Sequence, residues 1–312
     1  MKTRDLSILI PARNEMFLQR TIENILENIE ADTEVIAVSD GSWPITPVKD
    51  DPRVNLVVNF NAIGQRQGTN LAARLSKAKY VMKCDAHCAF GKGFDRILME
   101  EFEPDWTVVP RMFNLHAFDW QCKACGERFY QGPEPAKCAT CGSDLGHEMV
   151  IVWKPRKSRR SDYMRFDKDF RFQYWPQYEK ERPEEAKKKI SDCMGCLGAC
   201  FMMTRERYWE LGGMDEGHGS WGQMGTEVAC KAWLSGGRLV VNKKTWFSHM
   251  FRTNNAGFSF PYPITGKDVH KARKYSQRIW GKDKWPLAKR KLSWMIDHFA
   301  PVPEWHEDPY KE

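Results

Sequence analysis

The sequence predicts an α/β fold built on a mostly parallel, doubly wound sheet. Short apolar runs of strand length alternate with stretches of helical period, and strand-helix-strand units of this size require a crossover and a parallel sheet. Polar residues able to do chemistry recur just after the predicted strands, the edge where ligands collect in open α/β sheets.

The elements follow in order. Residues 6–10 (Leu-Ser-Ile-Leu-Ile) are a buried strand, and 11–15 (Pro-Ala-Arg-Asn-Glu) turn the chain. Residues 16–29 carry Phe17, Leu18, Ile22, Ile25, Leu26 and Ile29 at helical spacing. Strands are expected at 34–38, closed by Ser39-Asp40-Gly41-Ser42, at 54–58 and at 80–84, with a helix over 64–78. In the second half, strands are expected at 108–110, 148–153, 198–204 and 238–241. Helices are expected at 205–211 and 223–235, the latter ended by Gly236-Gly237. Neither a Gly-x-Gly-x-x-Gly fingerprint nor a P-loop is present, which argues against a nicotinamide or flavin half-fold.

The chain has 312 residues, 42% of them apolar, with 13 Trp and 17 Phe, so it can bury a sizeable core. No apolar run approaches a membrane span, and the N-terminus lacks a signal-peptide layout. A reducing cytoplasm is expected, where ten Cys favour metal sites or buried thiols over disulfides. No segment points to an obligate protein partner. The net charge of +7 is uneven. Residues 154–189 hold thirteen basic and seven acidic groups, and 267–291 hold ten and two, on a mildly acidic remainder. Two basic segments are the footprint of a polyanionic partner, or else ordinary solvated helix faces.

The strand over 80–84 delivers Asp85 and His87 to its carboxyl end. Two residues apart in extended backbone, they point to one side and pair a hard with a borderline ligand, which suits a divalent cation. Taken alone, the pair also fits a solvated turn.

Ile-Pro-Ala-Arg-Asn-Glu, then Ser-Asp-Gly-Ser, then Asp-Ala-His after a strand resemble the nucleotide-sugar half of a GT-A glycosyltransferase, a Rossmann-like α/β fold. The nearest likeness is to family 2 enzymes and to the polypeptide N-acetylgalactosaminyltransferases, which use Asp-x-His where most relatives use Asp-x-Asp. The resemblance implies that Pro11, Arg13 and Glu15 line the nucleotide pocket and that Asp40 holds the base or ribose. It implies that Arg66 and Asn70 face the nucleotide, and that Asp85 and His87 hold Mn2+ or Mg2+ against the diphosphate of a UDP-sugar. Gly-Gly-x-Asp-Glu at 212–216, Trp221-Gly222 and Trp-Phe-Ser-His-Met-Phe-Arg at 246–252 continue the pattern. It makes His249 the third metal ligand, adds Arg252 to the donor site and Trp221 to the catalytic groups.

One departure stands out. The galactosaminyltransferases read Trp-Gly-Gly-Glu-Asn-x-Glu, whereas this chain reads Trp221-Gly222-Gln223-Met224-Gly225-Thr226-Glu227. The first acid is lost, and Gly225 stands where inverting family 2 enzymes carry a base. Glu227 remains, as a general base or as a residue that orients the site, and the stereochemistry stays open.

Cys122-x2-Cys125 and Cys138-x2-Cys141, each pair followed by Gly, predict a structural zinc ribbon. Four thiolates leave no open position, so this zinc is not the catalytic metal. Cys193, Cys196 and Cys200 are expected to be buried thiols, and Cys84, Cys88 and Cys230 packing residues.

Residues 153–178 interleave bases and rings, including Arg156, Arg159, Arg160, Arg165, Arg171 and Trp175. Cations meet phosphates and rings stack on bases, so these residues are candidate acceptor contacts. Residues 267–291 read as a second basic, helical segment, with Trp280 and Trp285. The expected acceptor is a hydroxymethylated pyrimidine in DNA, reached outside the stack, as among bacteriophage enzymes, which would work in the cytoplasm of an infected cell. A protein Ser/Thr or a glycan is the alternative, and a zinc-ribbon nucleic-acid binder on an inactive fold is the non-enzymatic one. The expected division is a nucleotide-sugar half at 1–118, a ribbon insertion at 119–147 and a basic, aromatic segment at 148–192. An acceptor half at 193–264 includes a lid over 253–264, and a basic helical extension occupies 265–312.

Overall fold

The computed structural model describes residues 3–252 and 260–306. The chain opens with β1 (Leu6–Ala12), α1 (Leu18–Asn28), β2 (Thr33–Asp40), β3 (Val54–Asn59), α2 (Gln65–Leu75), β4 (Tyr80–Cys84), β5 (Cys88–Phe90) and α3 (Phe94–Glu100). β1 pairs in parallel with β2 and β4, and β2 with β3. Period-2 alternation sorts their side chains onto two faces. Ile8, Ile10, Val35, Ala37 and Met82 join one buried cluster with Leu18, Ile22 and Ile25 of α1. Leu9, Ile36, Val38 and Val81 join another with Ala72 and Ala73 of α2. Each Val, Leu, Ile or Met among them contributes about 1.5–3 kcal/mol on full burial.

Two long strands follow, β6 (Trp106–Cys122) and β8 (His147–Ser161), with the short β7 (Arg128–Tyr130) between them. They are far longer than the strands expected at 108–110 and 148–153. β6 leaves the sheet and runs antiparallel to β8 out to Cys122, which faces His147. Next come β9 (Met164–Phe166), β10 (Phe172–Tyr174), α4 (Gln177–Glu181), α5 (Pro183–Lys187), β11 (Ile190–Asp192), β12 (Cys200–Thr204) and α6 (Arg205–Glu210). The Thr204 hydroxyl caps α6 by accepting from the Arg207 amide at 3.0 Å. The last elements are α7 (Met224–Leu234), β13 (Arg238–His249), α8 (Gly266–Ile279) and α9 (Leu292–His298). Thr265 and Asp268 form a capping box at the start of α8.

The main sheet runs β11-β13-β6-β12-β4-β1-β2-β3. β12 is antiparallel to β4 and β6, while β13 runs parallel to β6 through a bulge between Asn242 and Trp246. β1, β2, β4 and β13 therefore end at one edge, each just before or at a polar residue.

The basic C-terminal segment is not helical throughout. α8 stops at Ile279, and Trp280 and Trp285 are core residues, 0% and 8% exposed. Most rings of 153–178 also face inward: Phe166 stacks on Phe170 at 5.2 Å, and Tyr163 on Tyr178 at 4.3 Å. Among the described residues, no helix is long and apolar enough to cross a membrane.

Candidate active site

Asp85 follows β4, and its amide donates to Ala199 O at 2.9 Å, tying it to the entry of β12. His249 ends β13 and pairs with Cys88 across β5, which sets it beside His87. One ligand atom from each of Asp85, His87 and His249 lies within 4.8 Å of the others. His87 Nε2 is 3.1 Å from His249 Nε2, which is 3.2 Å from Asp85 Oδ2. Glu15 Oε2 sits 3.0 Å from His87 Nδ1 and accepts its proton, leaving the Nε2 lone pair for a cation. One carboxylate and two imidazoles on one side, open on the other, fit a first-row divalent cation.

Burial opposes charge on Glu15, yet the neighbouring His87 and Arg252 hold its carboxyl below the ordinary value. Burial likewise opposes ionisation of Asp85, and Lys83 and His249 outweigh it and hold the carboxyl far below the usual range. Burial pushes His249 down to about 4, so its imidazole is neutral and able to ligate at neutral pH.

These groups open into a cleft of about 480 Å3 lined by Pro11, Arg13, Glu15, Asp40, Asp85, His87, Trp221, His249 and Arg252, among others. Asp40 turns both oxygens to backbone, accepting from the Ile63 and Gly64 amides at 2.7 and 2.9 Å. Trp221 meets Phe260 edge-on at 5.5 Å. Residues 253–259 of the expected lid lie outside the described residues; Phe260, Tyr262, Pro263 and Ile264 do line the cleft.

Three expected site residues are placed elsewhere. Arg66 is 1% exposed and is spent on Glu227 Oε2 at 2.8 Å and Gly222 O at 2.7 Å. Asn70 is buried too, bonding Met214 O at 2.9 Å and accepting from the Tyr208 hydroxyl at 2.7 Å. Glu227 is 0% exposed, paired with Arg66 and with Lys231 at 2.9 Å, and accepts from the Asp215 amide at 2.6 Å. Burial opposes its charge, but Lys231 and Arg66 hold the carboxyl at about 2. A carboxylate enclosed by cations, outside the cleft, does not reach an acceptor proton. Arg66, Asn70 and Glu227 instead anchor the 213–222 loop behind the site.

The lost acid stands at Met224, and Gly225 beside it leaves no room for the base that inverting family 2 enzymes carry there. A Cβ there would stand 1.8 Å from Cys196 O, so no side chain fits. Sequence reasoning also missed Lys83 and Gln65, which both donate to Asp85. A lysine in the interior of an otherwise apolar strand was the available signal.

The four ribbon cysteines come together as expected. Cys122–Cys141 and Cys125–Cys138 sulfurs are 3.8 and 3.7 Å apart. A tetrahedron with Zn–S bonds of about 2.3 Å has edges of about 3.8 Å. Two matching knuckles present them: the Gly126 amide donates to Cys122 O and the Gly142 amide to Cys138 O, both at 2.9 Å. Both glycines need positive φ, +76° and +72°. The purified protein is expected to carry about one zinc per chain by elemental analysis, lost in Cys138→Ser; zinc-free wild-type protein would refute the ribbon.

The acceptor candidates disperse. Arg156 lies over the Tyr130 ring at 4.7 Å, and Arg159 is exposed. Arg160 pairs with Glu179 at 2.6 Å and Arg165 with Glu304 at 3.4 Å. Arg171, paired with Asp169 at 3.2 Å, lines the cleft. Trp175 corrects the expectation: it is 1% exposed, packed on Tyr178 and under Arg182, and offers no face to a base.

The architecture is a GT-A glycosyltransferase fold. Residues 7–116 match the family described as Glycosyl transferase family 2. A putative polypeptide N-acetylgalactosaminyltransferase 13 of Drosophila melanogaster is 24% identical over 277 residues, 82% of this chain and 43% of the relative. A probable N-acetylgalactosaminyltransferase 8 of Caenorhabditis elegans is 26% identical over 194 residues, 61% of this chain and 38% of the relative. The chain thus spans less than half the length of these relatives. Among solved structures, GalNAc-T7 with UDP, GalNAc and Mn2+ superposes with a TM-score of 0.62 at 18% identity, over 90% of this chain and 50% of that one. S. aureus TarS gives 0.51 at 9% identity, over 93% and 41%.

Proposed function

We propose that this chain is a metal-dependent glycosyltransferase that moves a sugar from a uridine diphosphate donor to an acceptor hydroxyl. The observation that carries the reading is the convergence of Asp85, His87 and His249 at the carboxyl edge of the sheet, inside the cleft. The crystallised neighbour that holds UDP, GalNAc and Mn2+ supports it. Asp85, His87 and His249 would hold a divalent cation that would neutralise charge on a departing diphosphate. Glu15 fixes the His87 ring, Arg252 fixes Glu15 at 3.1 Å, and Arg13 adds a cation to the donor side of the cleft.

The acceptor is a polypeptide hydroxyl. Relatives named for polypeptide substrates support this, and most of the rings at 153–178, Trp175 among them, are buried. A hydroxymethylated pyrimidine in DNA is the second reading, favoured by Arg171 and Arg273 on the cleft and by exposed Lys154, Lys157 and Arg159 on β8. Transfer assays with Mn2+ and a panel of UDP-sugars, offering a Ser/Thr peptide beside unmodified and hydroxymethylated DNA, separate the two. No transfer and no donor hydrolysis with any sugar would sink the enzymatic reading.

Stereochemistry follows from the same cleft. Among the described residues its lining carboxylates are Glu15, Asp40 and Asp85. Each is engaged, by His87 and Arg252, by two backbone amides, or by the cation site. None is left to deprotonate an acceptor as inversion needs. Retention of the anomeric configuration is expected in the proton NMR spectrum of the product, and an inverted product would overturn this.

A further inference from the structure

We propose that Lys83 makes cation binding conditional on the donor: its buried ammonium offsets the one carboxylate among the cation's ligands, so the site holds the metal weakly until a diphosphate arrives. This rests on the reading of the cleft as a nucleoside diphosphate site.

Lys83 lies inside β4, paired to Leu9 of β1 on one side and to Phe201 of β12 on the other. Strand alternation points it to the same side as Asp85. Its side chain is 0% exposed, a placement that is costly for a charge without partners. It has two, the Asp85 carboxylate and Gly198 O, the latter at 2.9 Å. Asp85 Oδ1 takes both Lys83 and the Gln65 amide, at 3.0 Å from Gln65 Nε2. Oδ2 alone is left facing His249, so Asp85 offers the cation one oxygen.

The charges of the cluster then cancel. Asp85 is matched by Lys83, and Glu15 by Arg252 at 3.1 Å, while the two remaining ligands are imidazoles. The affinity of an oxygen-ligand cation site rises with its count of anionic ligands. In a buried site each uncompensated charge weighs more than it would in water. A divalent ion entering this cluster therefore adds charge that none of these groups balances, and the diphosphate supplies the balance. Such coupling is reciprocal: whatever UDP does for Mn2+, Mn2+ does for UDP.

The test uses the full chain and Mn2+ itself, read by loss of the free-ion electron paramagnetic resonance signal. Wild-type protein is expected to bind Mn2+ about 5–150-fold more tightly with UDP than without. Lys83→Met, which keeps the length and removes the charge, is expected to tighten Mn2+ binding without UDP by about tenfold and to shrink the effect of UDP. Unchanged or weaker Mn2+ binding by a Lys83→Met protein that melts as a folded chain overturns the proposal. If the variant does not fold, the wild type decides: Mn2+ bound equally tightly with and without UDP also overturns it. Failure of UDP to bind at any Mn2+ concentration refutes the donor reading instead, and the comparison of Lys83→Met with wild type in Mn2+ alone still judges Lys83.

Discussion

Asp85→Asn is expected to lower metal-dependent turnover of the preferred UDP-sugar by about a thousandfold, with the fold retained. The amide keeps an oxygen for Gln65 and Lys83, which both donate to the native carboxylate, but the buried Lys83 loses its counter-charge, so a lower melting temperature accompanies the loss. What goes is the only anionic ligand among Asp85, His87 and His249. Loss of metal-based charge stabilisation amounts to several kcal/mol, and each 1.36 kcal/mol is about tenfold in rate. The check is kcat for donor hydrolysis and for transfer across a Mn2+ titration, beside a thermal melt. Activity within about tenfold of wild type at saturating Mn2+ would show that the cation is held by other groups.

Glu227→Ala is expected to cost about 3–5 kcal/mol of stability, because it leaves Arg66 and Lys231 buried without their shared partner. Denaturant unfolding would report it as a lower midpoint. Arg66→Met combined with Glu227→Met should be milder than the sum of the two single changes, since the pair is removed together. The same cluster gives an acid dependence. Glu227 is depressed from 4.5 to about 2, so its contribution is complete above pH 4.5 and is lost as pH falls toward 2. His218, 3.7 Å from Glu227, is pushed down from 6.5 to about 4, chiefly by burial. The unfolded chain therefore takes up its proton first, and stability declines as pH falls from 6.5 through 4. A Glu227 variant with wild-type stability and no activity would restore the general-base role.

Much of the N-terminal half was legible because β1, β2 and β4 are buried on both faces and its helices carry regular apolar spacing. The Leu6–Ala12 run and the Ile22/Ile25 face of α1 leave little choice of structure. Asp85 and His87 were readable because two-residue spacing fixes their direction, and the ribbon because thiolate spacing has few other uses. Trp175 was misread for a specific reason. Bases alternating with rings look alike whether the rings stack outward or, as Trp175 does against Tyr178 and Arg182, face inward. Arg66 and Asn70 were misplaced because the 213–222 loop that claims them arrives from about 150 residues away, and no local pattern carries that contact.

The length of β6 sets a distance. Asn114 of that strand lies beside His249, and Cys122 is its last residue. Eight residues of strand at about 3.3 Å each separate the cation site from the zinc knuckle by about 26 Å along the chain. A substrate that touched the knuckle would be held a fixed stride away from the reacting hydroxyl. A short peptide would miss one of the two points, whereas an extended segment of about eight residues would span both. Contact at both points would let the chain select extended acceptors by length.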